Sequence, residues 1–240
     1  MRVVSLVPSV TETLLAWGVA PVAVTRYCEQ PGYPTVGGTK NPDLDAIVRL
    51  SPDLVVLDEE ENRRPDADAL VAAGVPVHVT AVRSVDDVAP ALAALAAAVG
   101  ADPVETADPL DTADAANAAD PATGAGTGAH SRRAFVPIWR RPWMTINADT
   151  YGASLLASVG WTTVFGDATE RYPTVELDDV RRSAPDAALV PTEPYAFDER
   201  HCRELEAELG CPALLVDGKD LFWWGTRTPS ALRRLAQVLP

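Results

Sequence analysis

The chain alternates short apolar runs with stretches of helical periodicity. At the N terminus, Val3–Val7 is rich in apolar residues, Ser9–Trp17 carries its apolar positions at helical spacing, and Gly18 follows. This pattern predicts a strand, then a helix opened by a Ser9/Glu12 capping box and stopped by Gly18. A second strand is predicted at Val22–Thr25, just after Pro21. Leu54–Leu57 and Val75–Val79 are apolar without alternation, as expected of strands covered on both faces of a parallel sheet. Ser84–Gly100 reads as a helix with a Ser cap, early acids and a terminal Gly; Pro90 predicts that its regular part begins near Ala89.

Part of this pattern occurs twice. Leu44-Asp45, Arg49, Pro52-Asp53 and the run Leu54–Leu57 return 133 residues later as Leu177-Asp178, Arg182, Pro185-Asp186 and Ala187–Val190. Each copy predicts a short helix, a Pro-Asp turn and a buried strand. Glu60 has its counterpart in Glu193. A second pair of strand–turn–helix units joins Val3–Gly18 to Trp143–Ile146, Asp149–Val159 and Gly160. Strands alternating with helices in this way predict an α/β fold. Two Rossmann-like lobes with parallel sheets, bridged by one long backbone helix and leaving a ligand cleft between them, are the expected architecture. The expected organisation is an N-terminal lobe over 1–83, a bridging helix with a connector over 84–132, and a C-terminal lobe over 133–240. Within the connector, residues 101–130 hold six acids, ten alanines and no Lys or Arg, and their Gly/Ala/Thr-rich end predicts flexibility.

Charge narrows the partners. With 20 Lys+Arg against 34 Asp+Glu the formal charge is −14, which repels nucleic acid, and no basic patch offsets it. Six of those charges belong to the connector. No run of 18 apolar residues is present, so no membrane insertion is expected. The start Met1-Arg2-Val3 shows neither a secretory leader nor a lipid-bearing Cys, which predicts a cytoplasmic protein, or an extracytoplasmic one if a leader has been removed. Three widely spaced cysteines (Cys28, Cys202, Cys211) are expected to be reduced thiols. The GxSxG, P-loop, HExxH and GxGxxG motifs are absent, so a non-catalytic protein is expected. His201-Cys202 with Cys211 lacks zinc-finger spacing, and no metal site is expected.

The segments RVVSLVPSVTETLLAWGVAPVAVTRYCEQP, NPDLDAIVRLSPDLVVL and LVAAGVPVHV follow in that order. They resemble the cobalamin- and siderophore-binding proteins of ABC importers, the helical-backbone class of periplasmic binding proteins, and above all its vitamin B12-binding branch. The likeness covers most of residues 2–100 and stays collinear over 133–240, ending in DLFWWGTRTPSALRRLAQVLP. It implies a corrinoid, or less readily a haem or ferric siderophore, gripped between the lobes by aromatic rings and a few polar groups. By position, the resemblance assigns Tyr27 in the first lobe, with Cys28 at the cleft mouth. In the second lobe it assigns Trp139 or Trp143, with Arg140 beside them, then Tyr172, and finally Phe222, Trp223 and Trp224 near the C terminus. Rigid rings suit a broad, flat ligand, since they bury area at little entropic cost. The resemblance also implies docking acids for an ABC permease if the protein is exported, and Glu60 and Glu193 occupy matching loops. Val36-Gly37-Gly38-Thr39 and Leu57–Glu61 depart from the B12-binding pattern, which removes stacking surface and leaves room for a smaller or cationic ligand.

Blander expectations stand beside these. Tyr27 also fits a core tyrosine at a strand end, Trp17 and Trp161 read as core, and Asp58–Glu61 reads more readily as a solvated loop than as a cation site. His78 reads as a core histidine. Two other functions fit the same fold: a cofactor-processing enzyme using Cys28, and a cytoplasmic adaptor that meets a basic partner through its acidic surface.

Overall fold

The structure, a computed structural model, describes residues 1–102 and 131–239. The connector predicted over 101–130 lies, but for its first two residues, outside the described residues. The described chain forms two compact units. The first holds residues 1–102 together with Trp223–Thr228; the second holds 131–222 and 229–239.

In the first unit, β1 (Val3–Ser5), β2 (Ala23–Val24), β3 (Leu54–Asp58) and β4 (Val77–Thr80) form one parallel sheet in the order β2-β1-β3-β4. Helices α1 (Pro8–Ala16), α2 (Leu44–Arg49), α3 (Arg64–Ala72) and α4 (Val88–Val99) accompany it. Val4, Leu6, Ile47, Val55, Leu57 and Leu70 make its core. Each such side chain stabilises the fold by roughly 1.5–3 kcal/mol through burial.

In the second unit, β5 (Arg132–Phe135), β7 (Trp161–Thr163), β9 (Ala187–Pro191) and β10 (Ala213–Val216) are also parallel, in the order β7-β5-β9-β10. Helices α5 (Tyr151–Ser158), α6 (Leu177–Arg182), α7 (Glu199–Leu209), α8 (Gly218–Phe222) and α9 (Thr228–Val238) follow in chain order. A small antiparallel pair, β6 (Trp143–Met144) with β8 (Thr174–Val175), is added. Phe135, Val180, Val190, Phe197 and Leu205 are buried together. The fold is thus α/β with a parallel sheet in each of two lobes.

The internal repeat is present in three dimensions. α2 and α6, and β3 and β9, occupy corresponding places in sheets of the same strand order. Both Pro-Asp turns make the same link to the first strand of their sheet. Asp53 accepts from the Arg2 amide at 2.6 Å while the Arg2 guanidinium donates to Leu50 O at 2.8 Å. Asp186 accepts from the Arg133 amide at 2.7 Å while Arg133 donates to Ser183 O at 2.7 Å. Each turn also contains a left-handed residue, Ser51 at φ 46° and Ala184 at φ 48°.

Four expectations need correction. The capping box does not form: Val7 caps α1 without a side-chain bond, Pro8 takes the first helical position and Ser9 is buried inside the helix. A proline at that position is already set to helical φ and gives up only an amide that has no helical partner. The second correction concerns β4. It pairs only with β3, so it is an edge strand, and Val79 on it is 49% exposed. His78 is only half-buried there, with burial holding its imidazole below the usual value. Third, Trp143–Ile146 is not the counterpart of β1, a place taken by β5; Trp143 begins the antiparallel β6 instead. Finally, Ser84 does not cap α4: Asp87 stands at its N-cap and the helix begins at Val88, one residue from the start expected from Pro90, which sits in the first turn where its missing amide costs little; Gly100 ends the helix at φ 65°.

Candidate functional site

In the first unit, the chain leaves β2 through Thr25 and turns at once, with the Cys28 amide bonded to Thr25 O at 3.1 Å. The turn throws Tyr27 outward, and the residue is 55% exposed. Cys28 goes the other way. It is 2% exposed, with Sγ 3.2 Å from the hydroxyls of both Thr11 and Thr25. Thr11 Oγ1 also lies 2.8 Å from Ser5 Oγ. Cys28, expected at a cleft mouth, is instead turned into its own unit, where the two threonines offer its sulfur polar partners. A nucleophile shut in this way is not placed to attack a ligand.

The segment Trp223–Thr228 returns to the first unit and lies along α1. Trp224 is buried at 5% exposure, whereas Trp223 is half-buried, with the Arg227 guanidinium 5.5 Å from its ring centroid. Arg227 pairs with Glu12 at 2.8 Å, and the Thr226 amide donates to Thr13 Oγ1 at 3.3 Å. Gly225, at φ 134°, has no room for a side chain, since a Cβ there would strike the Thr13 hydroxyl. Phe222 parts from its two neighbours: it belongs to the second unit and packs on α5, where a Cβ on Gly152 would stand 3.0 Å from its ring.

In the second unit, a tight turn, closed by Ile138 N to Met144 O at 2.9 Å and Met144 N to Trp139 O at 3.1 Å, presents Arg140 and Arg141. Trp139, at its base, is 46% exposed and meets Tyr195 edge-on at 5.3 Å. Tyr195 touches Phe197 at 4.5 Å, and Phe197 lies parallel to Trp143 at 6.0 Å. Arg140 sits 5.7 Å from the Trp143 ring and pairs with Glu204 at 2.5 Å. The result is one exposed tryptophan backed by a rigid series of rings. His201 supports it from α7, with its ring 5.2 Å from Phe197, while Nδ1 takes part in a capping box with Asp198. The side-chain bonds of Arg200 hold the Asp198 carboxyl well below the usual range. Tyr172 is half-buried in a loop fixed by Asn147 N to Arg171 O at 2.9 Å and Thr145 N to Pro173 O at 3.0 Å.

Glu60 and Glu193 each follow the C-terminal end of an equivalent strand, β3 or β9, by two residues. The acids around Glu60 do not share one environment. Asp58 is buried, and desolvation pushes its carboxyl above the ordinary range, against the opposing bonds from Thr80 and the amides of Glu60 and Glu61. Glu59 is exposed and pairs with Arg83 at 2.7 Å. Among the described residues no group of His, Cys, Asp and Glu is arranged to hold a metal ion, and no helix is long and apolar enough to cross a membrane.

The sequence matches the periplasmic binding protein family over residues 3–196. The chain belongs to this family. Its relatives place it in the helical-backbone, or class III, superfamily, beside vitamin B12- and haem-binding members. The vitamin B12-binding protein of Pectobacterium carotovorum subsp. carotovorum is 25% identical over 199 residues, which span 80% of this chain and 72% of that protein. The structure of the periplasmic vitamin B12-binding protein of Vibrio cholerae superposes with a TM-score of 0.77 at 21% identity, covering 99% of this chain and 96% of that one. The apo haem-binding protein of Roseiflexus sp. RS-1 gives 0.76 at 21% identity, covering 99% and 97%. These are binding proteins, and the non-catalytic reading rests on that likeness. The likeness also points to an extracytoplasmic protein, the second of the two locations expected from the sequence.

Within this periplasmic binding protein, sequence reasoning missed Tyr195, Phe197 and His201 as the backing of Trp139 and Trp143. The signal was present: two aromatics in alternation just before Asp198, an N-cap residue, whose helix carries His201 in its first turn.

Proposed function

We propose that this chain is a substrate-binding protein for a broad, flat metal chelate, in the first place a corrinoid, which it delivers to an ABC permease outside the cytoplasm. The observation that carries the reading is a pair of exposed rings with rigid supports, Tyr27 on the first unit and Trp139 on the second. Exposing a large ring to water is unfavourable unless a partner covers it. Arg140 and Tyr172 are the polar groups proposed to meet the rim of the ligand, the half-buried Phe222 and Trp223 to add ring surface to it, and Trp143, through Phe197 and Tyr195, to back Trp139. Trp224 and Cys28, both buried, are proposed to shape the surface rather than touch the ligand. Glu60 and Glu193 are proposed as docking acids.

Titration with cyanocobalamin, haemin and a ferric siderophore, followed by tryptophan fluorescence and calorimetry, tests the reading. Cyanocobalamin should bind most tightly, and Tyr27→Ala and Trp139→Ala should each weaken it about tenfold or more. Glu60→Ala and Glu193→Ala should leave affinity unchanged and reduce transport. Failure of all three ligands to bind the wild-type chain overturns the proposal; tighter binding of haemin replaces the corrinoid with a haem.

A further inference from the structure

Tyr27 is the most exposed aromatic ring among the described residues, yet a free ring makes a poor stacking surface, because ordering it on binding costs entropy. Its support comes from the loop that departs from the B12-binding pattern. A Cβ on Gly38 would stand 3.1 Å from Tyr27 Cε2 and 2.7 Å from Asn41 Oδ1, so the bare backbone of Gly38 is the floor on which the ring edge rests. Gly38 opens a two-residue hairpin over Thr39-Lys40, with Gly38 N to Asn41 O and Asn41 N to Gly38 O both at 3.3 Å. An antiparallel bridge between Gly37 and Pro42 continues it, and Gly37 O accepts from the Arg26 amide at 2.9 Å.

The tip of this hairpin is tied down from beneath. Asn62 is buried; its Nδ2 donates to Thr39 O at 2.9 Å and Leu6 O at 3.3 Å, and its Oδ1 accepts from the Asp58 amide at 2.8 Å. Lys40 Nζ also donates to Glu60 O. The acidic loop after β3 is thus joined, through Asn62 and Lys40, to the hairpin beneath Tyr27.

We propose that Gly38 and Asn62 are positioning residues for Tyr27: Asn62 fixes the hairpin and Gly38 leaves the space that sets the ring for ligand. The proposal rests on the reading of Tyr27 as a ligand contact. Gly38 does not adopt a left-handed conformation, and the atoms nearest its missing Cβ are side-chain ends, so Gly38→Ala should fold normally and displace only side chains.

The test is a double-mutant cycle in the full chain, with Gly38→Ala, Tyr27→Ala and their combination, using cyanocobalamin and haemin as probes. Nitration of Tyr27 by tetranitromethane, located by mass spectrometry, serves as a ligand-free readout and includes Asn62→Ala. Gly38→Ala should raise Kd about tenfold with an unchanged thermal midpoint, and should add nothing in the Tyr27→Ala background. The nitration rate of Tyr27 should change in Gly38→Ala and in Asn62→Ala. An equal loss in both backgrounds, or an unchanged Kd in Gly38→Ala, overturns the positioning role while leaving the proposed function intact. An unchanged Kd in Tyr27→Ala overturns the ligand role of Tyr27 and this proposal with it. If neither probe binds the wild-type chain, the proposed function fails, and an unchanged nitration rate in Gly38→Ala then separately overturns the positioning role.

Discussion

Asp58 illustrates how a single buried group departs from its sequence pattern. In the string Asp58–Glu61 it looks like one of four solvated acids; in the fold, its Oδ1 accepts from two amides and its Oδ2 from Thr80. Because burial raises its folded carboxyl value above the unfolded one, the folded state holds the proton more firmly. Its favourable contribution is full below the unfolded value near 3.8 and is lost as pH rises through the folded value. Asn in its place keeps the Oδ1 acceptor and donates to Thr80 Oγ1, which retains Leu57 O as an acceptor at 3.1 Å. Asp58→Asn should therefore gain stability over wild type above that range, and the gap should close in acid, as measured by urea unfolding across pH. Tyr27 and Cys28 show why side-chain direction is poorly legible. Adjacent residues in a turn point opposite ways, and the choice depends on Thr11, far away in sequence.

Elements were legible where their signals are local. The stretches 44–57 and 177–190 carry helix, turn and strand together, and both copies form. The start of α1 was misread because two local signals competed: the Ser9/Glu12 pair suggested a cap, but Pro8 had already begun the helix and Glu12 turns to Arg227. What the Pro-Asp turns bind was not legible, since Arg2 and Arg133 lie about 50 residues from their partners. The paired geometry predicts paired effects. Asp53→Ala and Asp186→Ala should each cost about 1 kcal/mol by urea unfolding, with similar values, because each removes a bond to a backbone amide at a largely exposed site. Gly225→Ala should cost more, on the order of 1–3 kcal/mol, since it combines an unfavourable φ with collision against the buried Thr13. Thermal unfolding followed through tryptophan emission reads both.

For the molecule as a whole, the family and the two-lobed α/β plan follow from periodicity, repeat and ordered motifs, which any length of chain can carry. The membership of Trp223–Thr228 in the first unit does not, because nothing in DLFWWGTRT marks its partner as α1. A ligand at a hundredfold excess over its Kd should stabilise the chain by about 2.7 kcal/mol, raising Tm by roughly 5–10 °C in differential scanning fluorimetry. A chain ended after Phe222 should lose amide-exchange protection in α1, more than 200 residues from the cut in sequence, because Glu12 and Thr13 lose Arg227 and Thr226 and the core loses Trp224. The same segment sets a timetable for synthesis. A ribosome completes the sheet of the first unit long before it releases Trp223–Thr228, so that unit waits, unfinished, while the sheet of the second is being made.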